Sequence, residues 1–360
     1  MLVGVPKEIK TLEFRVGLTP EAVREYVARG HDVIVEAGAG IGISKPDAIY
    51  VDAGATIVET AAEVFARADM VVKVKEPQSA EWAQLREGQI LFTYLHLAPD
   101  PDQAKGLMES GCSAVAYETV TAPDGSLPLL APMSEVAGRL SIEAGAQALR
   151  ANNGGRGTLM GGVPGVLPAK VVVLGGGVVG TQAARMATGL GARVEMFDRS
   201  LPRIRQLDEM FQGRATTRYS TTATIEQAIS DADVVIGAVL IPGASAPHLV
   251  TREMLGLMKP RAVLVDVAID QGGCFETSKP TTHDAPTYNV DNIIHYCVAN
   301  MPGAVPLTSS YALNNATLPF GLALADRGVK ACEEDPYLLP GLNVHQGKIV
   351  NSAVAESLGF

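Results

Sequence analysis

The chain is poor in aromatic residues, which make up 5% of its 360 positions with a single Trp, and its 29 Lys and Arg are outnumbered by 39 Asp and Glu. Few rings are available to stack on bases, and a net charge of −10 leaves little to displace counterions from a phosphate backbone. Nucleic acid is therefore not an expected partner. Cysteine is scarce as well: Cys112, Cys274, Cys297 and Cys332 lie far apart and form no CxxC pair. That spacing suits neither a zinc site nor a disulfide framework, so no metal is expected and the thiols read as buried side chains. The uncharged stretch from Val234 to Thr251 is broken by Pro242, Gly243, Pro247 and His248, whereas a bilayer helix takes about 20 predominantly apolar residues. Leu2 to Val5 already reads as a strand, leaving no room for a basic, cleavable leader. The expectation is a cytoplasmic protein with no membrane partner.

Glycine, by contrast, is abundant: 37 residues, against a usual share of roughly 7%, point to specific turns. The length suits two domains of roughly 100 to 200 residues each. Short β-branched runs recur with helical segments between them, at LVGV (2–5), DVIVE (32–36), ATIVE (55–59), MVVKVK (70–75), ILFTYL (90–95) and SAVAYE (113–118). Thr19 as N-cap, Pro20 at the first helical position and Gly30 after the last turn delimit the first helix. A second series, KVVVL (170–174), RVEMF (193–197), ADVVIGA (232–238) and AVLVDVA (262–268), follows a Gly- and Pro-rich crossing with a helical centre at 134–150. The fold class is α/β, with two doubly wound parallel-sheet, Rossmann-like domains and a cleft between them. After Pro306 the pattern is helical, at 309–330 and 349–358, with no clear strand. So short a tail is expected to pack on the domains already formed.

Gly175-Gly176-Gly177-Val178-Val179-Gly180 places a GxGxxG fingerprint between the strand KVVVL and a helix. Its first glycine makes the turn, its second lets a pyrophosphate approach the backbone, and its third packs helix on sheet at a helix N-terminus that faces the anion. Asp198 closes the next strand, 23 residues after Gly175, where a ribose-binding acid is expected. Its carboxylate would repel a 2′-phosphate, which favours NAD over NADP. Arg199 beside it could cover the adenine or offset that repulsion.

In the first series, Lys73 and Lys75 share one face of a strand with Lys75 at the carboxyl end, and Phe92, Tyr94 and His96 share a face with His96 at that edge. Arg15, in the loop leaving the first strand, completes the edge where ligands of open α/β sheets bind. Arg15 could clamp a small carboxylate, Lys75 could hold a carboxylate or keto oxygen, and His96 could move the proton released as a hydride leaves. The plainer readings are a surface arginine, a snorkelling lysine and a core histidine. In the second series, AVLVDVA leads into Ile269-Asp270-Gln271-Gly272-Gly273, so Asp270 lies near the nicotinamide end. It could polarise water attacking an imine, or simply close an Asx-type turn.

Over essentially its whole length the sequence resembles bacterial alanine dehydrogenases. The resemblance is carried by VGVPKEIKTLEFRVGLTP, KVKEP, FTYLHLA, LPLLAPMSEVAGRL, GGRGTLMGGVPGV, the glycine fingerprint, VDVAIDQGGCFE and YCVANMPGAVP. It implies NAD-linked reversible oxidative deamination of L-alanine to pyruvate and ammonia. It also implies Arg15 and Lys75 as substrate binders and His96 and Asp270 as the catalytic pair. The cofactor positions it implies are Ser134, Val178, Val179, Asp198, Arg203, Ser220, Val239, Leu240, Val267, Ala268, Ile269, Asp270, Lys279, Val298, Ala299, Asn300 and Met301, beside the fingerprint Gly175, Gly177 and Gly180. It further implies a homohexamer and a first domain split around the second, 1–130 with 305–360 for substrate and 131–304 for NAD. Two other readings remain from residue types alone, a 2-hydroxy-acid dehydrogenase and a non-catalytic NAD-binding subunit of a transhydrogenase-like complex.

Overall fold

The computed structural model describes residues 1–239 and 246–359. The chain divides into two compact units, Met1–Met133 with Val305–Phe360, and Ser134–Ala304. The first unit opens with β1 (Leu2–Val5), β2 (Asp32–Glu36), β3 (Thr56–Val58), β4 (Met70–Val72), β5 (Ile90–Thr93) and β6 (Ser113–Ala116), all paired in parallel. The helix Pro20–Ala28 packs on β2; Thr19 accepts the Ala22 N–H, Pro20 occupies the first turn and Gly30 follows at φ +82°. Gly4 lets a helix lie close on β1, since a Cβ there would sit 2.6 Å from the Ala68 Cβ.

The second unit contributes β7 (Lys170–Leu174), β8 (Arg193–Asp198), β9 (Ala215–Tyr219), β10 (Val234–Gly237), β11 (Val263–Asp266), β12 (Thr287–Val290) and β13 (Ile293–Tyr296). Their order, β12-β13-β11-β10-β7-β8-β9, is doubly wound around β7, with β12 antiparallel at one edge. The near-continuous apolar runs of the central strands are buried on both faces. Val171, Val173, Val234, Ile236, Val263 and Val265 pack into one core layer, and Val172, Leu174, Val235 and Leu264 into the other.

The tail corrects one expectation. Besides the helices Pro306–Arg327 and Ser352–Leu358 it forms β14 (Leu342–His345) and β15 (Lys348–Ile349), joined by Gln346 and Gly347, both at positive φ. This tight hairpin adds antiparallel to β6 and completes an eight-stranded sheet, β15-β14-β6-β5-β4-β1-β2-β3. Both sheets are thus mixed at an edge rather than wholly parallel. In LNVH the polar Asn343 and His345 alternate with Leu342 and Val344, so no unbroken apolar run stands out beside a 22-residue helix. No helix among the described residues is long and apolar enough to cross a membrane. All four cysteines are buried, and burial pushes the Cys274 and Cys332 thiols up to about 12.

Candidate active site

In the first unit, the loop after β1 carries Arg15 inward rather than to the surface. Its side chain is 2% exposed and clamped by Glu13, whose Oε1 accepts from Nε at 2.7 Å and whose Oε2 accepts from Nη2 at 2.6 Å. Burial opposes the guanidinium charge, but the Glu13 carboxylate outweighs it and holds the group above its ordinary range. Arg15 and Glu13 border a cavity of about 180 Å³ within this unit, together with Lys7, Glu8, Phe14 and Ile41.

The two lysines after β4 have separate fates. Lys73 is fully buried, with its Nζ 3.1 Å from Glu8 Oε2 and 2.6 Å from Glu81 Oε1. Glu8 also accepts the Val74 N–H at 2.7 Å and, more distantly, the Lys75 N–H at 3.4 Å, so the buried group fixes the backbone from which Lys75 projects. The Lys75 side chain stays 14% exposed, with Nζ 3.3 Å from Glu76. Lys75 draws the Glu76 carboxyl below its usual range against the effect of burial.

His96 follows β5 in a left-handed conformation, φ +49°, a strained state for a residue with a Cβ. Glu118 holds it there, accepting the His96 N–H at 2.6 Å and the Leu95 N–H at 3.2 Å, while its carboxylate lies 3.9 Å from Nδ1. The imidazole stacks on Tyr94 with centroids 5.7 Å apart and planes 4° from parallel. Tyr94 is buried, donates to Leu129 O at 2.6 Å, and is pushed upward by burial against the opposing charge of Arg15. Thr93 donates to the Lys75 carbonyl at 3.0 Å. Arg15, Lys75 and His96 are thereby linked to one sheet edge through Thr93 and Tyr94, although Lys75 and His96 do not border the cavity beside Arg15.

In the second unit each fingerprint glycine has its own steric reason. Gly175 sits at φ +107°, a Cβ on Gly180 would fall 1.8 Å from the Gly175 carbonyl oxygen, and a Cβ on Gly177 would meet nothing within 4 Å. Gly177 therefore leaves an open cradle at the N-terminus of the helix Val178–Gly189, which has no side-chain cap to occupy its N–H groups. A pyrophosphate fits that cradle. Asp198, at the end of β8, accepts the Gly176 N–H at 2.9 Å and the Ser200 N–H at 2.7 Å, so its carboxylate stands beside the loop, and Ser220 N donates to its carbonyl. Arg203 braces the loop: Nε donates to Gly176 O at 2.7 Å and Nη2 to Thr181 Oγ1 at 2.8 Å.

The remaining expected positions are spread along the same unit. Val178 is exposed and Val179 half-buried at the helix start, while Ser134 is half-buried in the helix Ala131–Ala148, whose Gly138 packs against the Val179 carbonyl. Val239 is half-buried two residues past β10, and a Cβ on Gly175 would touch it; Leu240 lies outside the described residues. Val267, Ala268 and Ile269 follow β11, with Ala268 and Ile269 buried and Asp270 exposed in a single 3₁₀ turn, Ile269–Gln271. Lys279 is exposed, its N–H donating to the Tyr288 hydroxyl. Val298 and Met301 belong to the core, Ala299 donates to Thr281 O, and Asn300 adopts φ +64°. Sequence reasoning passed over Glu13, Glu118 and Asp266, the carboxylates that hold Arg15, His96 and the Asp270 loop. Glu13, two residues from Arg15, and Asp266, at the end of β11, were near enough in sequence to be noticed, whereas Glu118 lies 22 residues from His96.

A doubly wound sheet with an open glycine cradle and an acid on the next strand end defines a dinucleotide-binding α/β protein. Its other unit gathers an arginine, a lysine and a strained histidine at a sheet edge. Residues 4–137 match the family described as Alanine dehydrogenase/PNT, N-terminal domain, and residues 141–352 match Alanine dehydrogenase/PNT, C-terminal domain. The chain belongs to the alanine dehydrogenase/PNT family. It is 59% identical to an alanine dehydrogenase of Halomonas elongata, over all of this chain and 97% of that one. A solved L-alanine dehydrogenase structure, 53% identical, superposes with a TM-score of 0.97 over all of this chain and 99% of the other. A transhydrogenase structure from Sinorhizobium meliloti is more distant, at 27% identity and a TM-score of 0.85, over 97% of this chain and all of that one.

Proposed function

We propose that the chain is an NAD-dependent oxidoreductase that converts L-alanine and water reversibly to pyruvate and ammonia. Residues 1–130 with 305–360 serve as the substrate domain and residues 131–304 as the NAD domain. The observation that carries the reading is His96, held at positive φ by Glu118 and stacked on Tyr94 at the sheet edge reached by Arg15 and Lys75, in a chain 59% identical to an alanine dehydrogenase. NAD, when bound, would supply the acceptor for the hydride that leaves the alanine Cα. Arg15, its plane fixed by Glu13, and Lys75 bind the substrate carboxylate. Alanine reacts as the free amine, because an ammonium has no lone pair to assist hydride departure. His96 takes a proton from the water that adds to the resulting imine, with support from Asp270, and returns it to the amine nitrogen; as the C–N bond breaks, the carbinolamine hydroxyl passes its proton to His96, the carbonyl forms and ammonia leaves.

Cofactor binding rests on Gly175, Gly177 and Gly180 at the pyrophosphate, Asp198 at the ribose, and the further positions named above. The transhydrogenase-like reading is the less favoured, given 27% identity to that structure against 59% to the alanine dehydrogenase. A cytoplasmic location and a homohexamer are part of the same proposal. Exposed Leu159, Val163, Val166 and Leu167 around the Pro164–Gly165 turn offer apolar surface for association. Replacing His96 by Ala is expected to lower turnover of alanine by about 100-fold or more while the melting temperature holds. Near-normal turnover in a folded H96A protein would remove His96 from the mechanism.

A further inference from the structure

Asp266 ends β11 and is fully buried, and the proposed chemistry assigns its carboxylate no step. Its two oxygens instead gather donors from both limbs of the loop that follows. Oδ1 accepts the Ala268 N–H at 3.1 Å on the entering limb. Oδ2 accepts the Cys274 N–H at 2.8 Å, the Phe275 N–H at 3.3 Å and the Ser278 hydroxyl on the leaving limb. The backbone between is shaped to allow this. Gly272 and Gly273 both adopt positive φ, and a Cβ on Gly273 would fall 2.7 Å from Oδ2. On the neighbouring strand a Cβ on Gly237 would press on Cys274 and Phe275 at 2.9 Å and on Oδ1 at 3.2 Å. Small residues on two sides thus let one carboxylate reach both ends of a six-residue loop, 268–273, that carries Asp270 at its tip.

All four donors are neutral, so the carboxylate charge is compensated by converging dipoles alone. Burial raises the Asp266 carboxyl above its usual range, and the bonds from Ser278, Cys274, Phe275 and Ala268 pull it back. A side chain that only filled this space would not need two acceptor oxygens serving opposite limbs of one loop.

We propose that Asp266 is a positioning residue for the reaction: it clasps the two limbs of the 268–273 loop and so sets where Asp270 stands. The inference rests on the proposed role of Asp270. It extends that role by naming what keeps an exposed carboxylate on a short glycine-closed loop in one place. Asn at position 266 keeps the shape and one acceptor but turns an N–H₂ toward N–H donors on one limb. The loop then opens while the sheet beneath it stays paired.

The test combines hydrogen exchange on the cofactor-free protein with kinetics of Asp266→Asn, Asp270→Asn and the double variant. Expected are faster amide exchange at Ala268, Cys274 and Phe275 with β10 and β11 unchanged, a turnover number lowered about tenfold or more, and an alanine KM within about twofold of wild type. In the double variant the loss should not exceed that of Asp270→Asn by more than about twofold, because the two residues act in series. Unchanged exchange at those three amides, or losses that multiply in the double variant, would overturn the proposal. Full turnover in Asp270→Asn, alongside faster exchange in Asp266→Asn, would instead fault the role of Asp270 and leave the clasp itself demonstrated. Should Asp266→Asn fold poorly, Ser278→Ala removes one donor only; it should show the same loop-confined exchange with a loss of about threefold, and a loss of exchange protection across β11 would count against the clasp.

Discussion

At the scale of single residues, the glycines of the fingerprint separate cofactor affinity from stability. Gly177 lines open space and Gly180 lies against the Gly175 carbonyl. Gly177→Ala should therefore leave the melting temperature nearly unchanged while weakening NAD about tenfold, by placing a methyl where the pyrophosphate approaches. Gly180→Ala should instead cost about 1–3 kcal/mol of folding stability through the forced displacement of helix from turn, measurable by denaturant unfolding. Equal effects of the two on stability would contradict the assignment. Asp198 offers a second check. Its oxygens already accept backbone N–H groups from Gly176 and Ser200, and their remaining lone pairs suit ribose hydroxyls while their charge rejects a phosphate. Asp198→Asn should raise the ratio of kcat/KM for NADP over NAD by about tenfold, with Arg199 available to the added phosphate; an unchanged ratio would separate Asp198 from nucleotide choice.

At the scale of elements, strands legible in the sequence were those whose apolar runs are little interrupted and punctuated at their ends. KVVVL before three glycines could be read directly as β7 and its loop. The hairpin β14–β15 and the pair β12 and β13 could not, because polar Asn, His, Thr and Lys break up TYNV, IIHY, LNVH and KI, whereas equally short strands such as β4 and β10 are unbroken apolar runs. The same limit applies to side chains. A period of two places Lys73 and Lys75 on one face, but the burial of Lys73 depends on Glu8 and Glu81, which reach it from other segments. Strand β13 also carries a buried histidine with a measurable consequence. His295 pairs with Thr277 Oγ1 at 2.7 Å and Ile293 O at 3.1 Å, and burial lowers its pKa from 6.5. The unfolded imidazole takes a proton below about pH 6.5 while the folded one resists it, so stability is lost as pH falls from there toward the lowered folded value. The melting temperature of His295→Gln should fall less steeply than wild type between about pH 6.5 and 5, and parallel slopes would show that His295 does not titrate on unfolding.

At the scale of the whole molecule, the sequence made the kind of chemistry readable because each half announces itself by a short motif at a strand end. The glycine loop with Asp198 marks one half, and Arg15, Lys75 and His96 mark the other. The supporting carboxylates stayed hidden. Glu13 and Asp266 stand near in sequence to what they hold and Glu118 lies 22 residues from His96, but that each accepts those N–H groups is set by the folded chain and not by residue spacing. What the fold adds is thus the means by which an arginine is buried with its charge intact and a histidine is kept in a left-handed conformation. The central claim is tested most directly by following reduced nicotinamide in steady state with L-alanine, L-serine, L-2-aminobutyrate and L-lactate, each with NAD and NADP. The expected result is reduction of NAD with L-alanine as the best substrate, lesser rates with the other two amino acids, little reaction with NADP, and none with L-lactate. Turnover of L-lactate in preference to L-alanine, or tight NAD binding with no turnover of any amino acid, would contradict it.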